Sequence, residues 1–232
     1  MLRRTGCLLL IALPLWVNAQ HYGLEMGVES GPALGRFWSN VVTPDHLNPN
    51  LHYSFGTYFR FKISNHFSVQ TGLYKDMIGS NDIAKQKDIG VGTTGDVNII
   101  QEVNYGSIPV LFRLSFGNRL RGNLVAGSFV SFLMEHKTIW DYGTHREAIN
   151  NTMGTNRFNA GLVWGGGLEY TVLKQMNLGF EVRNQMGFVN MEMHSPMAYF
   201  RTNSLQFLFK VGYQFKWVEP KEKKDKSIKK KF

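Results

Sequence analysis

Two groups of residues in this 232-residue chain have types and spacings that could do chemistry. The first is scattered: Asp45-His46, His136, Asp141, His145 and His194-Ser195. A serine or aspartate beside a histidine is what an acyl-transfer or hydrolytic site needs. No spacing among these residues marks a triad, and polar connecting segments collect such residues by composition. Met191-Glu192-Met193-His194 with Met197 offers thioether sulfurs, the soft ligands that suit copper(I). The simpler reading is a methionine-rich rim at a strand end. No catalytic residue, cofactor or metal site is assigned from these patterns.

The second group is regular. Glu25, Glu29, Glu169 and Glu181 carry one sign, and Arg60, Lys62, Arg113, Arg183 and Lys210 the other. Each falls on the polar phase of a segment whose alternate residues are apolar. Charges of both signs on one phase, interleaved with glycine, suit a crowded interior where buried ions persist only in pairs. Their expected role is structural neutralisation; the alternative is a narrow ion or proton path.

The elements that hold these charges are strands. Phe207, Phe209, Val211, Tyr213, Phe215 and Trp217 alternate with Leu208, Lys210, Gly212, Gln214 and Lys216. Period-two alternation puts the two sets on opposite faces of a strand. Similar segments lie near residues 22–30, 53–63, 66–75, 102–116, 122–134, 158–172 and 176–188, which makes eight with the last. In the fourth, Val103 and Tyr105 fall out of phase with Ile108, Val110 and Phe112, which predicts a bulge near Gly106 and Ser107. Short turns at Ser64-Asn65, Gly117–Arg121 and Leu173–Gln175 alternate with longer connections at residues 32–52, 76–101, 135–157 and 190–203. An antiparallel up-and-down sheet with that rhythm puts all short turns at one end and all long loops at the other.

The first residues give the compartment. Arg3 and Arg4 precede an apolar run from Cys7 to Val17, and Ala19 precedes Gln20, the pattern of a cleaved secretory signal peptide over residues 1–19. The single cysteine lies inside it, so the expected mature chain forms no disulfide. No later run approaches the roughly 18 apolar residues of a spanning helix. A membrane-crossing mature chain must therefore be a closed barrel. Residues 20–217 would form it, and residues 218–232, with seven lysines and three acids, a disordered periplasmic tail. Export makes nucleic acid a poor partner for that basic tail.

Alternation alone cannot say which face looks outward. Three features favour lipid on the apolar side: a polar face rich in glycine and paired signs, aromatic residues at strand ends, and strands long enough to span. The expectation is an all-β, eight-stranded antiparallel up-and-down transmembrane β-barrel with four long outer loops and three short periplasmic turns. It would lie in the bacterial outer membrane.

Two motifs carry a resemblance. Lys210, Gly212, Tyr213, Phe215 and Trp217 resemble the β-signal read by the outer-membrane assembly machinery. Tyr105-Gly106-Ser107-Ile108-Pro109-Val110-Leu111 is similar to a strand common in PorT-like outer-membrane β-barrels of Bacteroidota, of the eight-stranded kind typified by the OmpA membrane domain. The resemblance implies the architecture, the location and two partners, outer-membrane lipid and the assembly machinery. Some PorT-like members assist protein secretion.

An eight-stranded barrel has an interior just wide enough to be filled by side chains. Function is then expected in the outer loops, where Trp38, Trp140, Tyr142 and Tyr199 could anchor a protein partner. A non-enzymatic scaffold, adhesion or envelope-assembly and secretion accessory is the leading expectation. A lipid-modifying or proteolytic barrel enzyme, or a narrow channel, is the alternative.

Overall fold

In the computed structural model, residues 23–39, 48–85, 96–143, 145–191 and 199–216 are described. The expected signal peptide and tail, Trp217, Asp45-His46 and His194-Ser195 lie outside them, as do Met193 and Met197. The strands are β1 (Gly23–Ser39), β2 (Asn48–Lys62), β3 (Phe67–Lys85), β4 (Asp96–Gly117), β5 (Leu120–Asp141), β6 (Arg146–Asn150), β7 (Phe158–Leu173), β8 (Met176–Gly187) and β9 (Phe200–Lys216). Neighbouring strands pair antiparallel. The first strand pairs with the last, and β4 pairs with β5, so eight strands close a ring. The ninth, β6, hangs outside the ring as a short hairpin partner of β5.

Sidedness follows the alternation. Phe209 is 63% exposed, and Val211, Tyr213 and Phe215 share its outward row, while Leu208 and Lys210 on either side of Phe209 are buried. Outward rows of Met26 and Val28, Phe55 and Phe61, Phe112 and Leu114, Leu124 and Phe132, and Leu162 and Leu168 continue this apolar girdle. On β1 the girdle runs from Leu24 to Leu34. That stretch rises about 25 Å at ~3.3 Å per residue and a tilt of about 40°, the height of an outer-membrane hydrocarbon band. On β5 the girdle ends at Met134.

Two details depart from the sequence reading. Much of what reads as loop is strand. β1 continues through Pro32, which faces Tyr53 of β2, at a point where the ladder to β9 lapses between Ser30 and Ala33. A proline fits a strand where its missing N–H leaves no ladder bond unmade. The bulge also lies elsewhere: Asn104 faces Glu135 and Tyr105 faces Leu133, so the extra residue is Met134 of β5. Residues 103, 105, 107, 109, 111 and 113 of β4 all point inward on one unbroken phase. Val103 and Tyr105 break the chemistry of that phase, not its geometry.

The outer end of the barrel is pinched. A Cβ on Gly35 of β1 would come within 2.8 Å of the Gly79 backbone nitrogen of β3. The missing side chain of Gly35 lets these non-adjacent strands touch at that level.

Candidate functional site

Inside the ring, the inward phases of the strands together build a layered polar network. At the turn end, Arg60 of β2 bridges Glu25 of β1 and Glu169 of β7, at 2.9 and 2.8 Å. Arg121 of β5 reaches Glu169 at 2.7 Å. Lys62 lies 3.3 Å from Glu25 and donates to Gln214. The Tyr58 hydroxyl and the Asn177 amide also donate to Glu25, at 2.9 and 3.0 Å.

One layer up, Lys210 of β9 lies 2.8 Å from Glu29 of β1 and 3.2 Å from Glu181 of β8. Arg113 of β4 reaches Glu181 at 2.6 Å, and Arg183 contacts both Glu29 and Glu181. Gln70 of β3 joins the layers, because its carbonyl accepts from Arg113 and Arg60. Higher still, the Asp76 carboxylate of β3 accepts from Ser54 at 2.5 Å, Gln206 at 3.2 Å and Gln185 at 3.4 Å. Every ring strand thus places at least one polar group in the lumen, and the bonds run across the barrel.

The nine charged residues picked out by alternation all lie in this lumen, eight of them buried and Lys62 half-buried. Asp76 and Arg121 belong with them, although the sequence pattern places both in connections. Asp76 continues the polar phase Ser68, Gln70, Gly72, Tyr74, a signal that extending the alternation would have caught. Gly212, part of the resemblance to an assembly signal, is buried in the lumen: a Cβ there would lie 2.2 Å from the Tyr58 hydroxyl and 2.8 Å from a Glu25 oxygen. Tyr213 and Phe215 of the same motif face outward.

The outer third of the lumen is different. Phe37, Ile78, Val103, Tyr105 and Met191 form one buried apolar cluster, with Leu133 and Phe200 packed against it. Above it a cavity of about 400 Å³ is lined by Phe37, Gln101, His136, Met153, Thr155 and Met191, among others. His136 lies just past the end of the girdle. The Thr155 hydroxyl lies 3.0 Å from the Asn151 carbonyl and 2.6 Å from His136 Nδ1, and so links the imidazole to the backbone of the turn. Burial of the ring pulls the His136 pKa below the usual histidine value.

Among the described residues, the scattered acid–base groups do not converge around it. His136 and Asp141 share β5 at odd spacing, so they face opposite ways and lie roughly 16 Å apart along the strand. The Asp141 carboxylate accepts from the Gly143 backbone N–H and from Arg146, and His145 stacks on Tyr142 with ring centres 4.6 Å apart. Trp38 and Tyr199 are exposed near the outer ends of β1 and β9. Among the described residues, no cluster of three or more His, Cys, Asp or Glu has metal-binding geometry.

A closed ring, a continuous apolar exterior of bilayer height, and charges sealed inside define a small antiparallel β-barrel of the membrane-spanning kind. The chain belongs to the outer membrane protein beta-barrel domain family, which matches residues 18–192. Among solved structures it is similar in fold to a major outer membrane protein from Thermus thermophilus at 14% identity, covering 83% of this chain and 99% of that one with a TM-score of 0.47. It is also similar to the outer membrane protein OprG from Pseudomonas aeruginosa at 11% identity, with 86% and 99% coverage and a TM-score of 0.44. The attachment invasion locus protein Ail of Yersinia pestis is similar at 12% identity, with 82% and 98% coverage and a TM-score of 0.40. No curated protein matches the chain.

Proposed function

We propose that the protein is a non-conducting, non-enzymatic outer-membrane scaffold that presents its outer strand ends to a partner, in adhesion or in envelope assembly and secretion. The observation that carries this reading is the double closure of the lumen. A cross-barrel ion network reaching from Glu25 to Lys210 fills the inner part, and the Phe37–Ile78–Val103–Tyr105–Met191 cluster stops the outer part. Planar-bilayer recordings are expected to show no stable nanosiemens steps; reproducible steps would overturn the closed lumen.

The finer parts of this reading rest on sequence. Residues 1–19 act as a cleaved signal peptide, the turns face the periplasm, and residues 218–232 form a periplasmic tail. Lys210, Gly212, Tyr213, Phe215 and Trp217 serve as the assembly signal of a PorT-like barrel. Trypsin added to intact cells should cut the outer ends at Lys85, Lys87 or Arg146 and spare the turn at Arg119. Cutting only at Arg119 would reverse the topology.

A further inference from the structure

The outer rim of the barrel is chemically lopsided. On the β4–β5 side, outward-facing charges answer one another: Lys137 lies 2.8 Å from Glu135, which also accepts from Asn104. On the β9–β1 side the outward rows end in Leu34 opposite Leu205, then Arg36 opposite Asn203, then Trp38 opposite Arg201. The Arg36 guanidinium lies over the Trp38 ring at 4.8 Å, and Arg201 lies over the Tyr199 ring at 4.9 Å. All four side chains are exposed. Neither arginine has a carboxylate within ion-pair distance among the described residues.

Arg36 and Arg201 are diagonal neighbours on adjacent strands, about 7–8 Å apart at the backbone. They stand directly above the band that ends at Leu34, and Arg201 lies roughly 10 Å beyond Leu205. That is headgroup height. Beneath them Leu34, Leu205 and the widely exposed Leu51 continue the apolar wall to which an acyl chain lies parallel.

From this juxtaposition we infer that the Arg36–Trp38–Arg201–Tyr199 patch binds the phosphate of an outer-leaflet lipid whose chains pack on the wall below. Guanidinium pairs bind phosphate in bidentate fashion, and aromatic stacking holds the guanidinium planes in place before the ligand arrives. Free phosphate would engage the patch alone; a lipid engages the patch and the wall together. The inference rests on the proposed orientation with turns in the periplasm. Trypsin shaving tests that orientation separately, so the two failures can be told apart.

The test uses the purified full-length barrel in detergent micelles containing equimolar bisphosphorylated lipid A and its dephosphorylated form. Native mass spectrometry reads the retained lipid. Wild type should favour the phosphorylated form by roughly tenfold to thirtyfold, given two basic residues at the surface. R36Q/R201Q should retain both forms alike, R36K/R201K should recover part of the preference, and K137Q on the opposite rim should leave it unchanged. Heat-modified gel mobility confirms that each variant is folded. Equal retention by wild type, or an unchanged preference in R36Q/R201Q, overturns the inference. Displacement by inorganic phosphate overturns it as well, since that would mark a free-anion site.

Discussion

The lower and upper lumen use the same inward phase of the same strands for opposite purposes. On β3, Ser68, Gln70 and Asp76 face a polar interior, and Ile78, the next inward residue, faces an apolar one. On β4, Arg113 lies in the charged part and Tyr105 and Val103 in the greasy part. The charged part ties strands together across the barrel at specific atoms, while the apolar part closes the mouth by shape. The first should be intolerant of losing any one partner, because an orphaned buried ion is costly. The second should lose stability in proportion to the volume removed.

The largest expected effect is on the charged side. E181A leaves Arg113, Arg183 and Lys210 facing each other without their shared carboxylate. Denaturant unfolding in lipid vesicles should show a loss of about 3–5 kcal/mol; a loss below that of the apolar variants would erase the contrast. Next comes I78A in the outer cluster, expected to cost about 2–4 kcal/mol without opening a conducting path, because the charged layers below remain intact. Channel steps in I78A would show that the apolar cluster alone closes the lumen. G35A drives a methyl group toward Gly79 and Ile78, with an expected cost of about 1–3 kcal/mol and faster amide exchange confined to the outer ends of β1 and β3.

The smallest effect is expected from pH. Because burial lowers the His136 pKa, the neutral ring is favoured in the folded state, and the unfolded state binds more protons below about pH 6.5. Its contribution is therefore complete above the unfolded pKa and is lost as pH falls through the folded one. Amide exchange at Asn151–Thr155, which bond to His136, should quicken between neutral and mildly acidic pH, and H136Q should flatten that response.

Much of this architecture can be read in the sequence because a half-lipid strand must alternate. Phe209 against Lys210 is unambiguous, as is Glu181 between Phe180 and Val182. Alternation falls silent where both phases are apolar. At Val103 and Tyr105 the inward row turns greasy, and a change of lining reads as a change of geometry. Asp76 and Arg121 escape notice because each lies beside a residue pattern typical of a connection, although their strands run on. The hairpin strand β6, all exposed, carries no burial signal to find. The Arg36–Arg201 patch is invisible in one dimension, since only the β1–β9 register brings those residues together.

That register has one more consequence. Glu29 and Lys210 face each other across the junction of the first and last strands, and both also hold Arg183 or Glu181 in place. While that junction is open, Glu29 lacks both Lys210 and Arg183, while those two cations keep only Glu181 on their own side, and neither side can shed its water cheaply. Zipping the two chain ends together and discharging the interior are therefore a single event, and a half-built cylinder announces its incompleteness electrostatically.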